Sequence, residues 1–266
     1  MKYKKVIFVV LVYGNYKDLL NFNKSISLNN EDYHLVVVDS YKDDKTRNEG
    51  RNVCRILGAS FLPIENRGYS YGNNQGVKYA QNNFDFDYLI ISNPDIIIKR
   101  LEFEQIPLNS IMGPRILNKR GSDKNPHYYK KSSVDFYFLK KYAFSEKKTF
   151  WFFSYLLGHK IKKICYDFFY NNLDKDRNIC VYALHGSFLA MRKRTVDYLA
   201  PLFNEKMFLY SEENHLAELA DKKNIAMIYN KDWIVSHSED GSGNFGNKFT
   251  QKHTIESLRV FFRTWK

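Results

Sequence analysis

Residues 6–12 read VIFVVLV, seven consecutive apolar positions, most of them β-branched. A strand with no polar position must be covered on both faces, as strands are inside a parallel sheet flanked by helices. Lys2, Lys4 and Lys5 ahead of this run imitate the head of a signal peptide. However, the run ends in Gly14-Asn15-Tyr16-Lys17-Asp18 with no small-x-small cleavage site, so a buried first strand is the better reading. The pattern then repeats. Residues 34–38, ending at Asp39, residues 60–64 and residues 87–92 read as further strands. Residues 17–28, 46–57 and 77–82 read as helices between them. Strands alternating with helices predict βαβ crossovers and a mostly parallel sheet. Ligands of such sheets gather beyond the carboxyl ends of the strands, where Asp39 and Asp95 both fall. Later, residues 181–191 are core-like, 195–202 and 213–222 look helical, 225–229 reads as a strand, and 254–265 as a basic aromatic helix.

Composition narrows the classes without choosing among them. With 266 residues, 44% hydrophobic and 26% charged, the chain can bury a core, which excludes a disordered or fibrous protein. A formal charge of +12 favours polyanionic partners: nucleic acid, anionic lipid, or phosphorylated substrates. Cys54, Cys165 and Cys180 form no C-x-x-C, so neither a disulfide framework nor a zinc site is signalled, and a reducing cytosol is expected. No apolar run is long enough to span a membrane as a helix.

Four stretches could carry chemistry. Asn93-Pro94-Asp95 follows a buried strand, where a carboxylate either forms a turn or holds Mg²⁺ or Mn²⁺ with diphosphate oxygens. Residues 66–76, NRGYSYGNNQG, match neither G-x-G-x-x-G nor a P-loop. They read as a glycine-rich loop that either approaches a ligand through its backbone or merely connects. Glu212-Glu213 at a helix start either complements the macrodipole or supplies a general base. His237 follows a strand-like Trp233-Ile234 and is either structural or a ligand.

Taken in order, these stretches resemble the glycosyltransferase family 2 enzymes of bacterial polysaccharide assembly, including a rhamnosyltransferase-like branch. The resemblance rests on Val36-Val37-Val38-Asp39, residues 65–76, Asn93-Pro94-Asp95, His185-Gly186-Ser187-Phe188-Leu189-Ala190-Met191-Arg192, Phe208-Leu209-Tyr210-Ser211-Glu212-Glu213, and His237 ahead of Gly241-Ser242. It covers residues 5–120 and 181–242. It implies a single GT-A domain over residues 1–266, with a Rossmann-like, mostly parallel sheet flanked by helices. Within it, residues 1–120 would bind the nucleotide-sugar, 128–172 would be a helical insertion, and 181–266 would form the acceptor and catalytic half.

The resemblance also implies roles. Val12, Tyr13 and Asp39 would contact the donor's base, and Asn66, Gly68 and Asn74 would line the donor pocket. Asn93 would bind a hydroxyl, Gly186 and Ser187 would border the sugar, and Asp95 and His237 would hold Mg²⁺ or Mn²⁺. Where the family carries Glu-Asp, this chain has Glu212-Glu213, so Glu213 takes the position of the base with one extra methylene, and Glu212 is the alternative. His215 stands where an acidic residue often follows. The implied reaction is inverting transfer from a UDP- or dTDP-sugar to a hydroxyl of a glycan acceptor, lipid-linked in such pathways. The enzyme would be cytoplasmic, peripheral on the inner membrane face. The glutamate pair keeps a nucleotide-sugar-binding pseudoenzyme open as an alternative.

Residues 128–172 stand outside the resemblance. Lysine pairs alternate there with aromatics, as in an interfacial helix pair on anionic lipid, or in an accessory hairpin packed on the domain or on a second copy as a homodimer. A basic, non-catalytic nucleic-acid-binding protein would also use such charge. No nucleic-acid module is visible, and that reading leaves the ordered acidic positions unexplained, so nucleic acid is not the expected partner.

Overall fold

A computed structural model describes residues 2–27, 32–172, 176–238 and 248–265. Its first half is the expected βαβ array. Strands β1 (Lys2–Val12), β2 (Tyr33–Asp39), β3 (Ser60–Pro63) and β4 (Phe84–Ser92) are mutually parallel in the order β3-β2-β1-β4. Helices α1 (Tyr16–Ser27), α2 (Asp44–Leu57) and α3 (Tyr69–Asn83) make the crossovers. The apolar run of β1 is explained by its two covers. Ile7 and Val9 pack in one core with Val77 and Ala80 of α3, while Val6, Phe8 and Val10 pack in the other with Leu19 and Phe22 of α1.

The second half completes the sheet. It contributes β5 (Ile96–Arg100), β6 (Ser110–Leu117), β7 (Asn178–Val181), β8 (Phe188–Arg192) and β9 (Ala226–His237). The order continues β4-β8-β6-β9-β5, with β7 also on β9. Strand β6 is parallel to β9, whereas β8 runs antiparallel to β4 and β6, and β5 and β7 run antiparallel to β9. Helices α4 (Ser133–Phe144) and α5 (Lys148–Asn172) pack together between β6 and β7; α6 (Lys193–Leu199), α7 (Glu212–Lys222) and α8 (Lys248–Thr264) follow. The fold is α/β, a largely parallel central sheet flanked by helices. No helix among the described residues is long and apolar enough to cross a membrane, and the three cysteines are free. Leu28, Gly241 and Ser242 lie outside the described residues.

The glycine-rich stretch is corrected: it is mostly helix, not a loop leading into one at residue 77. Helix α3 begins at Tyr69, and Gly68, Gly72 and Gly76 fall one turn apart on one of its sides. Gly68 has φ +94°, and a Cβ there would lie 2.1 Å from the Phe208 carbonyl oxygen. A Cβ on Gly72 would lie 2.5 Å from Leu11 Cδ1, and one on Gly76 would lie 2.3 Å from Val9 Cγ1. The glycines bring α3 hard against β1 and β2. Of the strand expected over residues 225–229, residues 226–229 join Trp233-Ile234 in one longer strand, β9.

Gly76→Ala is therefore expected to destabilise the fold by about 1–3 kcal/mol through overpacking. Gly158→Ala, in α5 with open space around its side-chain position, is expected to stabilise by up to about 1 kcal/mol. Urea denaturation of the two variants measures both signs.

Candidate active site

The strands set the site before any side chain does. Strands β1, β2 and β4 end on one edge of the sheet, and β8, running the other way, begins there. Val12 lies opposite Asp39 in the β1–β2 register, Val10 opposite Ser92 between β1 and β4, and Ser92 opposite Phe188 between β4 and β8. The Asn93 amide donates to the Ser187 carbonyl at 3.0 Å, extending that last ladder past the end of β4. With neighbouring strands about 4.8 Å apart, Asp39, Val12, Asn93 and Ser187 form a row along the carboxyl edge of the parallel half.

His237 reaches this row by register. It pairs with Ile96, so it sits across from the residue next to Asp95. Its Nε2 lies 3.2 Å from Asp95 Oδ2, and the Ser238 amide donates to the Asp95 carbonyl at 3.3 Å. His185 stacks edge-on to His237 with ring centroids 5.8 Å apart. Burial lowers the His185 pKa to about 4, so this imidazole is neutral, and its Nδ1 accepts from the Ser187 amide at 3.2 Å. Asp95 and His237 offer one oxygen and one nitrogen donor on a common point, a set that suits a divalent cation when substrate oxygens complete the shell. Among the described residues no third His, Cys, Asp or Glu joins them.

The carboxylate pair meets this cluster at Gly186. Tyr210 (φ 70°) and Ser211 (φ 68°) are consecutive non-glycine residues in the left-handed region, an uncommon conformation that turns the chain sharply into α7. Glu212 is then buried, 4% exposed, and its Oε1 has no hydrogen-bond partner among the described residues. Burial, and next the charge of Glu213, hold the Glu212 carboxyl well above the usual carboxylate range. Glu213 is only half-buried and crosses over Gly186: a Cβ on that glycine would lie 3.0 Å from Glu213 Oε1. Tyr69, the first residue of α3, donates its hydroxyl to the Gly186 carbonyl at 2.7 Å. Asp95, His237, His185, Gly186, Ser187 and Glu213 are thus joined by direct contacts or chain neighbours.

At the far end of the row, Asp39 is fully enclosed. Its Oδ1 accepts from the Tyr16 hydroxyl at 2.7 Å, while Oδ2 has no partner among the described residues. Burial pushes its carboxyl up to about 6, against the opposing pull of the Tyr16 hydrogen bond and Arg47. Tyr13 is exposed, with Lys42 Nζ 4.8 Å from its ring centre. The residues between serve the framework. The Asn66 Oδ1 accepts from the Gly68 amide at 3.2 Å, and Gly68 abuts Phe208. Asn74 lies inside α3, donating to the Phe203 carbonyl at 2.8 Å and to Glu205 at 3.2 Å, and accepting from the Phe203 amide at 3.1 Å. Its side chain clamps α3 to the segment leading into α7.

Sequence reasoning assigns no role to Tyr16, Tyr69 or His185. Tyr69 and His185 stand inside the motifs that carry the family resemblance. Nothing local marks Tyr16, whose partner is 23 residues away.

No family model matches the chain. Over 124 residues, 44% of its length, it is 28% identical to the low-salt glycan biosynthesis hexosyltransferase Agl10 of Haloferax volcanii, a match covering 38% of that protein. The fold is similar to that of GalNAc-T7 in a crystal structure with UDP, GalNAc and Mn²⁺, with a TM-score of 0.61 at 10% identity. That match covers 98% of this chain and 49% of the other. The chain spans under half the length of either protein. The structural likeness shows the fold, which is GT-A-like.

The raised Asp39 pKa has a definite sign. The folded state holds its proton up to about pH 6, the unfolded chain only up to 3.8, so this group costs stability as pH rises through that window and the full cost persists above it. Asp39→Asn is expected to stabilise the protein at pH 7 by up to about 3 kcal/mol, with the gain vanishing below pH 4. Denaturation midpoints measured across pH 4–7 check the slope.

Proposed function

We propose that this chain is a glycosyltransferase that moves a sugar from a nucleoside-diphosphate donor to a hydroxyl of a glycan acceptor, with inversion. The observation that carries the reading is the convergence of Glu213 with Asp95 and His237 at the carboxyl edge of a GT-A-like sheet. The similarity to a hexosyltransferase supports the reaction class, and the structural neighbour was crystallised with UDP, GalNAc and Mn²⁺. Neither singles out a rhamnosyl donor, so the donor we propose is a UDP- or dTDP-linked hexose.

The donor's base would lie at the Asp39 end, where the unpartnered Oδ2 suits a ring N–H and Tyr13 offers an exposed ring face. Its diphosphate would run along the row towards Asp95. When bound, Mg²⁺ or Mn²⁺ would supply positive charge to the departing diphosphate, held by Asp95 and His237. Glu213 takes the proton of the acceptor hydroxyl, whose oxygen attacks the anomeric carbon from the face opposite the diphosphate. The new glycosidic bond forms as the bond to the diphosphate breaks, and the electron pair leaves with the nucleoside diphosphate. Burial biases Glu212 towards its neutral form, which would limit the negative charge beside the base. Gly186 leaves the space that Glu213 needs, and Ser187 borders the same spot.

Glu213→Gln is expected to lower transfer at least a hundredfold, whereas Glu212→Gln, which mimics the protonated acid, is expected to lower it less than tenfold. Donor-dependent release of nucleoside diphosphate, assayed with Mn²⁺ and a panel of UDP- and dTDP-sugars, measures both. Full activity of Glu213→Gln would remove the base assignment. A chain that binds donor but releases none with any acceptor would be a pseudoenzyme.

A further inference from the structure

Helix α5 is apolar on two opposite sides; among the described residues one is packed on the domain, and the other is largely exposed. On the inner side Tyr155 meets Tyr128, hydroxyl to hydroxyl at 2.8 Å, and Tyr166 and Tyr170 lie against Tyr129 with centroids 5.5 and 4.8 Å away. Phe152 packs on Tyr142 at 4.9 Å. On the outer side Phe150, Phe153, Leu157, Ile161 and Ile164 recur every three or four residues, which places them on one helical stripe. Every one is more than half exposed, from 54% for Ile161 to 65% for Leu157. Such a run of large apolar side chains along four turns is a surface with a partner, not the scatter of single exposed residues usual on proteins.

The charge of the segment that carries the stripe points to the kind of partner. Residues 128–172 hold nine lysines, against Asp135, Glu146 and Asp167. The lysines on the inner side are occupied: Lys162 lies 2.5 Å from Asp135, and Lys163 donates to the Pro126 carbonyl at 2.9 Å. Lys140, Lys141, Lys147 and Lys160 are exposed, with no acidic partner among the described residues. A second copy of the chain laid on the stripe would bring these like charges together. A surface of anionic headgroups over hydrocarbon complements both features at once. We propose that α5 is an interfacial helix, which lays its outer stripe into an anionic lipid surface while its inner face stays packed on the domain. The inference stands independently of the transferase reading.

Flotation of the full chain with phosphatidylcholine vesicles, with and without one-third phosphatidylglycerol, tests the inference. Wild-type protein is expected to float with the anionic vesicles only, and less as salt rises. Phe153→Ser combined with Leu157→Ser changes exposed residues alone, and is expected to reduce flotation at least tenfold with an unchanged urea midpoint. Lys147→Ala and Lys160→Ala are each expected to reduce it by about fivefold. Absence of wild-type flotation, or equal flotation of the Phe153/Leu157 variant, would overturn the proposal. So would a concentration-dependent dimer that this variant dissolves, which would assign the stripe to a second copy.

Discussion

Side chains alternate across a strand, so the register in which β5 meets β9 decides whether this protein has a site at all. With Ile96 opposite His237, the imidazole comes to 3.2 Å from Asp95. A slip of one residue would turn it to the other face of the sheet. Register of this kind is held by what lies behind it. Val235 is fully buried two residues before His237, and Ile96 and Ile98 are buried on the facing strand. The apolar pattern that fixes the core therefore also fixes the polar pair at its edge.

The other half of the site depends on close approach and on an uncommon backbone. Helix α3 can lie against β1 only because Gly72 and Gly76 present no side chain to Leu11 and Val9. That position sets Tyr69, which holds the Gly186 carbonyl, and Gly186 in turn leaves room for Glu213. From the other direction, two left-handed residues, Tyr210 and Ser211, swing the glutamate pair inward. Each left-handed non-glycine residue costs of order 1–3 kcal/mol. Keeping Glu212 desolvated beside Glu213 adds a further cost. The arrangement persists because the chain is held on both sides of the pair: Trp265 donates to His215 at 2.9 Å after it, and Ser257 of α8 donates to the Leu209 carbonyl at 2.8 Å before it.

Much of this is legible in the chain, and the failures have physical causes. The parallel half can be read because each of its strands is an apolar run bounded by turn residues, as at residues 6–12 and 34–38. Strands β5 and β6 escape such a reading. The apolar part of β5 is three residues long, and β6 contains Pro114, which argues against a strand where the partner is unknown. The glycine-rich stretch misleads because glycine frees a loop and also lets a helix sit close to a sheet. Only the neighbours, Val9 and Leu11, distinguish the two cases. Among site residues, Asp39, Asp95, Glu213 and His237 are marked by their order along the chain. The contacts that bind them, Tyr16 to Asp39 and Tyr69 to Gly186, span 23 and 117 residues and leave no local trace.

The segment between the two halves resolves the tension in the chain's composition. A protein of +12 charge whose chemistry would rest on Asp39, Asp95 and Glu213 must direct its surplus elsewhere. Packing and surface contact are competing accounts of the lysines and aromatics of residues 128–172 when only the sequence is read. The helix accommodates both, because its two sides are chemically similar but differently placed. Tyr155, Tyr166 and Tyr170 carry hydroxyls and find partners inward, whereas Phe150, Phe153, Leu157, Ile161 and Ile164 carry none and face outward. A helix that only packed on the domain would place its purely hydrocarbon residues inward and its phenols towards water. The order in α5 is the one that an outer environment less polar than water, as proposed, would favour.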